Sequence, residues 1–171
     1  MKAVKEASLK VLAIGVVVLM GAIVLQVICS ALDINPLASF PAALPFLGKA
    51  VTLNSLLDFQ WHLLVIIGLL PAGIVWLTGT HVRVDFLYNP MPSRWKARID
   101  LVGNLLFAAP FFVLMIPAAV NFMLRAWNSG EASRNGGLND LWLIKSVLPL
   151  GLLLLALAVL IESIRLIRAA R

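Results

Sequence analysis

Apolar residues along the chain fall into four long runs separated by shorter polar stretches. The runs cover about residues 11–32, 56–78, 99–124 and 143–167. Each reaches the roughly 20 residues that an α-helix needs to cross about 30 Å of hydrocarbon. Because backbone groups cannot stay unpaired in lipid, each run is predicted to be a transmembrane helix. The predicted fold class is an all-α integral membrane protein, with a single four-helix domain over residues 1–171.

The first run also carries features of a signal peptide. Lysines precede it, and Cys29, Ser30 and Ala31 form a passable cleavage site. Its apolar part is nevertheless longer than the roughly 7–15 residues of a signal-peptide core. We therefore expect this run to be a retained span.

The basic residues are distributed unequally between the two ends of the spans. An even number of spans puts both termini on one side, and ten of the 14 Lys and Arg residues lie on that side or in the middle loop. Because cytoplasmic loops carry the excess of Lys and Arg, both termini are predicted to be cytoplasmic. The four on the opposite side are Lys49, Arg125, Arg134 and Lys145.

A charged and then aromatic strip follows the second run. His81, Arg83 and Asp85 precede Phe86 and Tyr88, and two prolines close the segment. This order predicts an amphipathic segment at the cytoplasmic interface, between the second and third spans. If the strip is helical, His81 and Asp85 share a face and can pair.

The two loops on the other side differ in character. Residues 33–55 are apolar, with five hydrophobic residues at helical spacing but with Pro41 and Pro45 against an uninterrupted helix. We expect a broken, interface-lying segment there. Residues 125–142 are rich in Gly and Asn and are predicted to form a true loop.

The third run predicts an unusually long helix. Ser93 is a good N-cap, and the helical pattern continues to about Trp127, a length of about 50 Å at 1.5 Å per residue. Such a helix exceeds the bilayer core and must tilt, protrude or bend, and Pro110 and Pro117 supply places to bend.

Composition supports the membrane assignment and narrows the function. The chain is 61% hydrophobic and 13% charged, with a mean hydropathy of +0.99, whereas soluble domains contain about a quarter charged residues. The net charge of +6 is spread over the ends of the runs, which fits lipid headgroups rather than nucleic acid. The single cysteine, Cys29, is predicted to be a packed thiol.

Patterns typical of enzymes are absent from the sequence. It contains no Cys-x-x-Cys, no phosphate-binding glycine loop and no paired carboxylates at mid-membrane. The deep polar residues are the amides Gln26, Asn104 and Asn121. They are expected to form hydrogen bonds between helices, with a permeation path as the alternative. At the start of the second span, Asp58 and His62 are spaced to pair on one helical face.

Two other functional classes fit the sequence less well. A small four-helix multidrug exporter needs a membrane-embedded carboxylate, and the first span has none. A b-type haem anchor needs convergent ligands, but His62 and His81 lie 19 residues apart, which is about 28 Å along a helix. No metal or cofactor site is therefore expected in this chain.

Five stretches together resemble the small membrane subunit, of DctQ type, of tripartite ATP-independent periplasmic (TRAP) transporters. In order they are LDFQWHLL, GTHVRVDFLY, RWKARIDLVG, SGEAS and LWLIKSVLPLGLLLLALA, which lie within about residues 50–160. The resemblance implies a scaffold that anchors a large permease subunit in the bacterial inner membrane. It also implies sodium-driven uptake of organic acids delivered by a periplasmic binding protein, with the sodium sites in the permease. No substrate contact is implied for this chain.

The resemblance suggests roles for one set of residues, and the composition of membrane interfaces predicts a second set. Partner contacts are hypothesised at both ends of the spans: His81, Arg83, Asp85, Phe86, Tyr88, Glu131, Ser133, Trp142 and Lys145. The alternative for the first five is a simple charged stop with an interfacial anchor, and for the rest loop capping, snorkelling and a belt aromatic. Interface anchors are predicted at Trp61, Trp95, Lys96, Arg98 and Trp127.

Overall fold

The structure is a computed structural model and describes residues 2–79, 86, 88–134 and 136–170, without the side chains of residues 2–5, 169 and 170. The elements, in chain order, are α1 (Lys2–Ala31), β1 (Ala38–Leu44), β2 (Gly48–Val51), α2 (Leu53–Leu69), α3 (Ala72–Leu77), α4 (Ser93–Gly103), a π-helical turn (Asn104–Ala108), α5 (Ala109–Ser129) and α6 (Trp142–Ala170). The protein is thus mostly helical, as predicted.

Four helices are long and apolar enough to cross a membrane. They are Glu6–Ala31, Leu53–Leu77, Ser93–Ser129 and Trp142–Arg168, and each contains most or all of a predicted run. The second is interrupted between α2 and α3, at Leu70 and Pro71. This agrees with proline's lack of an amide hydrogen.

The third span is one continuous helix of 37 residues. The prediction that Ser93 caps it is wrong: Pro92 holds the N-cap position, and Ser93 is the first helical residue. The π-helical turn ends at Ala108, and α5 follows directly at Ala109. Pro110 lies in the first turn of α5. Wider turns of this kind accommodate a break in the regular hydrogen bonds.

The spans are arranged as a row. The first packs against α2, the α2–α3 unit packs against α6, and α6 packs against α4 and α5. The order across the row is therefore first, second, fourth, third. The fourth span is the most buried, since 28% of its most apolar stretch is buried, against 6% in the first and second and 11% in the third.

Two glycines bring the second and fourth spans close together. A Cβ on Gly73 would lie 2.7 Å from the Leu154 carbonyl oxygen, and a Cβ on Gly151 would lie 3.0 Å from Leu69 Cβ. Small residues at helix interfaces allow this approach in membranes. The pairs Gly151–Leu69 and Gly73–Leu154 also show that the two spans run parallel, because the residue numbers rise together along both helices.

The row also has a small buried core between α5 and α6. It contains Phe112, Ala119, Leu152 and Val159, with Trp76 packed against them. Ala119 is only 2% exposed. This core fixes the third span against the fourth.

Two of the three deep amides connect helices, as predicted. Gln60 Nε2 donates to Gln26 Oε1 at 2.7 Å and joins α1 to α2. Asn104 Nδ2 donates to Ser163 Oγ at 3.0 Å and joins the π-helical turn to α6. Asn121 is exposed on α5.

The two amide hydrogen bonds and the glycine contacts place both termini at one end of the row. This end is called the terminal end here, and the opposite end is called the loop end.

The broken segment expected in residues 33–55 is extended rather than helical. The segment forms an antiparallel β-hairpin, in which Ala38 faces Val51 and Leu44 faces Gly48. A cis peptide bond joins Asn35 to Pro36 ahead of it. Prolines that interrupt a helix are tolerated on an edge strand, and Pro41 lies within β1.

Candidate functional site

At the loop end, the β-hairpin and the second loop pack on each other. We call residues 37–52, 130–134 and 136–141 together the hairpin–loop cluster. Asp58, in the second turn of α2, holds it to the membrane domain, because Asp58 Oδ2 accepts a hydrogen bond from the Leu138 amide at 3.0 Å. Leu138 is only 2% exposed. The second loop is therefore tied to α2 across 80 residues of sequence.

The turn of the hairpin is clamped by the second loop. The Phe46 amide donates to Asp140 Oδ2 at 3.1 Å, and the Phe46 carbonyl accepts from the Asn139 amide at 2.8 Å. Phe46 has a φ of 68°, a left-handed conformation that is uncommon for a large side chain. Its ring lies edge-on to His62, with 6.2 Å between the centroids. These contacts hold the turn in one conformation.

Tight packing inside the cluster requires glycine at Gly137. A Cβ there would lie 1.9 Å from Asp58 Oδ2 and 2.9 Å from Ser133 Oγ. Nearby, the Thr52 hydroxyl donates to the Gly136 carbonyl at 3.0 Å. The close approach lets the Asp58 carboxylate reach the loop backbone.

The predicted pairing of Asp58 with His62 through their side chains is wrong. His62 Nδ1 contacts the backbone carbonyl of Asp58, one turn earlier in α2. The Asp58 carboxylate instead points to the second loop. Local helical spacing favoured the pair, but a buried amide nearby offered a better partner.

An ion pair closes the second loop. Lys145 Nζ lies 2.5 Å from Glu131 Oε2, and the two side chains are 16% and 41% exposed. The same ammonium lies 4.1 Å from the centre of the Phe122 ring, which is a cation–π contact. Lys145 therefore connects the loop, α5 and α6, and it is engaged within the protein.

The other candidates at the loop end have structural contacts too. Trp142 packs edge-on against Trp127 at 4.5 Å, and so joins the ends of α5 and α6. The Ser133 amide donates to the Leu138 carbonyl at 3.0 Å. The structure thus brings Glu131, Ser133, Trp142 and Lys145 together around one loop.

At the terminal end, part of the charged strip falls outside the described residues, namely His81, Arg83 and Asp85. Phe86 is described and is 76% exposed. The Tyr88 hydroxyl donates to Asp100 Oδ2 at 2.5 Å, and Lys96 Nζ lies 5.3 Å from the Tyr88 ring centre. Tyr88 is therefore packed on the first turns of α4.

The predicted interface anchors have exposed aromatic rings. Trp61, Trp95 and Trp127 are 60%, 58% and 57% exposed. The Arg98 guanidinium lies 5.6 Å from the centre of the Trp95 ring. Lys96 Nζ donates to the Asn89 carbonyl at 3.0 Å. Trp61 and Trp127 lie towards the loop end, and Trp95, Lys96 and Arg98 towards the terminal end.

The described residues contain no group of three or more His, Cys, Asp or Glu side chains placed to hold a metal ion. The arrangement at the loop end is structural in its chemistry: carboxylates accept amide hydrogens, and one carboxylate binds an ammonium. Sequence reasoning missed the roles of Asp58, Phe46 and Asp140. The available signal was an acidic residue beside an apolar loop, which does not identify a partner 80 or 94 residues away.

Comparison with known families gives a match over residues 42–169, to the family described as Tripartite ATP-independent periplasmic transporters, DctQ component. The match covers 128 of the 171 residues and includes most of the hairpin–loop cluster and the last three spans. No curated protein matches the sequence. The family consists of transporter components, which associate with a large permease and a binding protein in a tripartite system. The chain belongs to the DctQ family and is a small membrane subunit of a TRAP transporter.

Proposed function

We propose that this subunit is a scaffold that binds and anchors the large permease subunit of a sodium-driven importer of organic acids, with carboxylates as the substrate class. The periplasmic binding protein delivers the substrate, and the permease holds the sodium and substrate sites. The chain itself binds no cofactor. It resides in the bacterial inner membrane, with both termini in the cytoplasm.

The observation that carries the scaffold role is the row of four spans. A subunit that moves a charged substrate by itself has to surround a path with protein, because a charge exposed to hydrocarbon is costly. The described helices, arranged in a single row, enclose no such path. It does present two broad apolar faces, and the first span is only 6% buried along its most apolar stretch. One face suits a large hydrophobic partner and the other suits lipid.

The proposed orientation is supported by charge. Ten of 14 basic residues lie in the termini and the middle loop, and cytoplasmic segments carry such an excess. The loop end then faces the periplasm. There the hairpin–loop cluster presents a preformed surface to the binding protein or to the outer face of the permease.

The partner contacts are proposed in two groups. The strip of His81, Arg83, Asp85, Phe86 and Tyr88 contacts the permease at the cytoplasmic side, with the exposed Phe86 ring as the most direct contact. At the loop end, Glu131, Ser133, Trp142 and Lys145 act mainly by holding the second loop in shape. Their mutual contacts support this division of roles.

Co-purification tests the scaffold role. A tag on this chain is expected to retrieve a large hydrophobic permease from detergent-solubilised membranes. Liposomes containing this chain alone should take up no organic acid under a sodium gradient, and liposomes with both membrane subunits and the binding protein should. Uptake by the chain alone would show that it is a transporter in its own right and refute the proposal.

The orientation has a separate test. In a Cys29→Ser background, Ser93→Cys lies at the terminal end and Ala132→Cys in the second loop, and both positions are exposed. A membrane-impermeant thiol reagent added to intact spheroplasts should label position 132 and should not label position 93. The reverse pattern would contradict the cytoplasmic placement of the termini.

A further inference from the structure

A groove runs between the third and fourth spans at the terminal half of the row. It is lined by apolar side chains of both spans, including Leu101, Leu105, Phe112, Ala156, Leu160 and Ile167, and has a volume of about 400 Å³. It opens sideways on the surface of the row. From Leu101 to Phe112 the helix advances about 16 Å at 1.5 Å per residue. That is about half of the roughly 30 Å hydrocarbon core, so the groove spans one leaflet.

The polar atoms in this groove are already bonded to each other. Asn104 Nδ2 donates to Ser163 Oγ, which in turn donates to the Val159 carbonyl at 2.8 Å. The lining thereby stays compatible with hydrocarbon, because paired polar groups cost little in an apolar environment. The adjoining π-helical turn supplies Asn104, Leu105 and part of the groove wall.

Cations continue the groove to the terminal end. On α4, Arg98 and Arg94 precede Leu101 by three and seven residues, and so prolong the helical stripe that lines the groove. On α6, Arg168 follows Ile167 directly. All three arginines have exposed side chains.

The charge balance at this rim is positive. The described side chains of α4 and of α6 from residue 161 onward include Arg94, Lys96, Arg98, Arg165 and Arg168, against Asp100 and Glu162, which gives 5 − 2 = +3. The Asp100 carboxylate already accepts a hydrogen bond from the Tyr88 hydroxyl. The rim therefore favours a negatively charged group.

We propose that the groove is a binding site for one anionic phospholipid of the leaflet at the terminal end. One acyl chain lies between the third and fourth spans, and the phosphate lies at Arg94, Arg98 and Arg168. The size of the groove favours a chain over a helix. A helix is about 10 Å across and would enter this groove only with the side chains of one face, whereas an acyl chain can lie in it along its full length. The inference goes beyond the scaffold role and assigns the subunit a specific lipid.

Native mass spectrometry of the full-length chain tests the site. The probes are phosphatidylglycerol and phosphatidylethanolamine with identical acyl chains. We expect retention of one phosphatidylglycerol, with an affinity at least about tenfold above that for phosphatidylethanolamine. The double variant Arg94→Gln/Arg98→Gln should lose about fivefold in phosphatidylglycerol affinity per arginine. Arg125→Gln, an exposed arginine near the other end of α5, should change nothing. Equal retention of the two lipids, or no effect of the double variant, would overturn the proposal.

A second variant distinguishes a groove that binds lipid from a groove that binds a helix of the permease. Ala109 is exposed and lines the groove, so Ala109→Phe should fill it, reduce retention of both lipids at least about tenfold and leave permease co-purification intact. If this variant instead released the permease while lipid retention was unchanged, the groove would be a protein interface and the lipid site would be wrong.

As a readout without variants, phosphatidylglycerol should raise the melting temperature of the chain, less so at high salt. A melting temperature that responds equally to both lipids would contradict the charge recognition.

Discussion

The two ends of the row are built in different ways. At the loop end, hydrogen bonds join residues 80 to 94 positions apart: Asp58 to Leu138, Thr52 to Gly136 and Phe46 to Asp140. At the terminal end, the bonds that hold Tyr88 and Lys96 span 12 and seven residues. One end is a preformed surface held by tertiary contacts, and the other is a local, exposed and cationic edge. The loop end therefore depends on contacts between distant parts of the chain, whereas the terminal end depends on local contacts and on its charge.

The largest effect is expected where the loop end depends on one carboxylate. Asp58→Ala should leave the buried Leu138 amide without its acceptor, and destabilise the protein by about 1–3 kcal/mol. Hydrogen exchange at the Leu138 amide should become faster, and SDS unfolding in mixed micelles should give the change in free energy. The matched control, Asp58→Asn, retains an acceptor oxygen and should lose less than half as much. Unchanged exchange in Asp58→Ala would mean that this bond does not hold the loop.

A smaller effect is expected from the ion pair of the second loop. Lys145→Met removes the partner of Glu131 and the cation over Phe122, and should cost about 1–2 kcal/mol, between the values for exposed and buried pairs. Glu131→Gln should cost about the same or less, because the cation–π contact remains. The double variant should cost less than the sum of the two. Arg134→Gln, an exposed cation in the same loop, serves as the control and should stay within about 0.5 kcal/mol of the parent. Strict additivity of the two single changes would show that the charges do not interact.

The smallest effect is expected at the terminal end. Tyr88→Phe removes the hydroxyl that bonds Asp100 and should cost about 0.5–1 kcal/mol. Phe86→Ala, at a side chain that is 76% exposed, should leave the unfolding free energy within about 0.5 kcal/mol. Under the proposed permease contact, Phe86→Ala should nevertheless reduce recovery of the permease in co-purification. A loss at Tyr88 as large as that at Asp58 would remove the contrast between the two ends.

Local patterns in the sequence predicted much of the helical structure. The four runs became four spans. Gln26 formed its predicted bond between helices. These features depend on the chain within about one helix length, where hydropathy and proline geometry dominate. The N-cap at Ser93 was displaced by one residue because Pro92 takes that position, and proline needs no amide partner there.

The β-hairpin shows where local patterns fail. Five apolar residues at helical spacing in residues 33–55 favoured an interfacial helix, but an extended edge strand accommodates Pro41 and pairs with β2. The second loop then binds the turn of the hairpin through Asn139 and Asp140. The helical spacing is present in the sequence, but the long-range hydrogen bonds favour the extended hairpin over a helix.

By itself, the sequence determined the membrane class, the number and approximate limits of the spans, and the excess of positive charge at one end. These properties follow from transfer of apolar residues out of water, which acts on each segment separately. The tertiary structure decided the order of the spans in the row, the partner of Asp58, the hairpin and the groove beside Asn104. Each of these depends on which backbone donors and apolar faces meet across distant parts of the chain, and local periodicity contains no information about that choice.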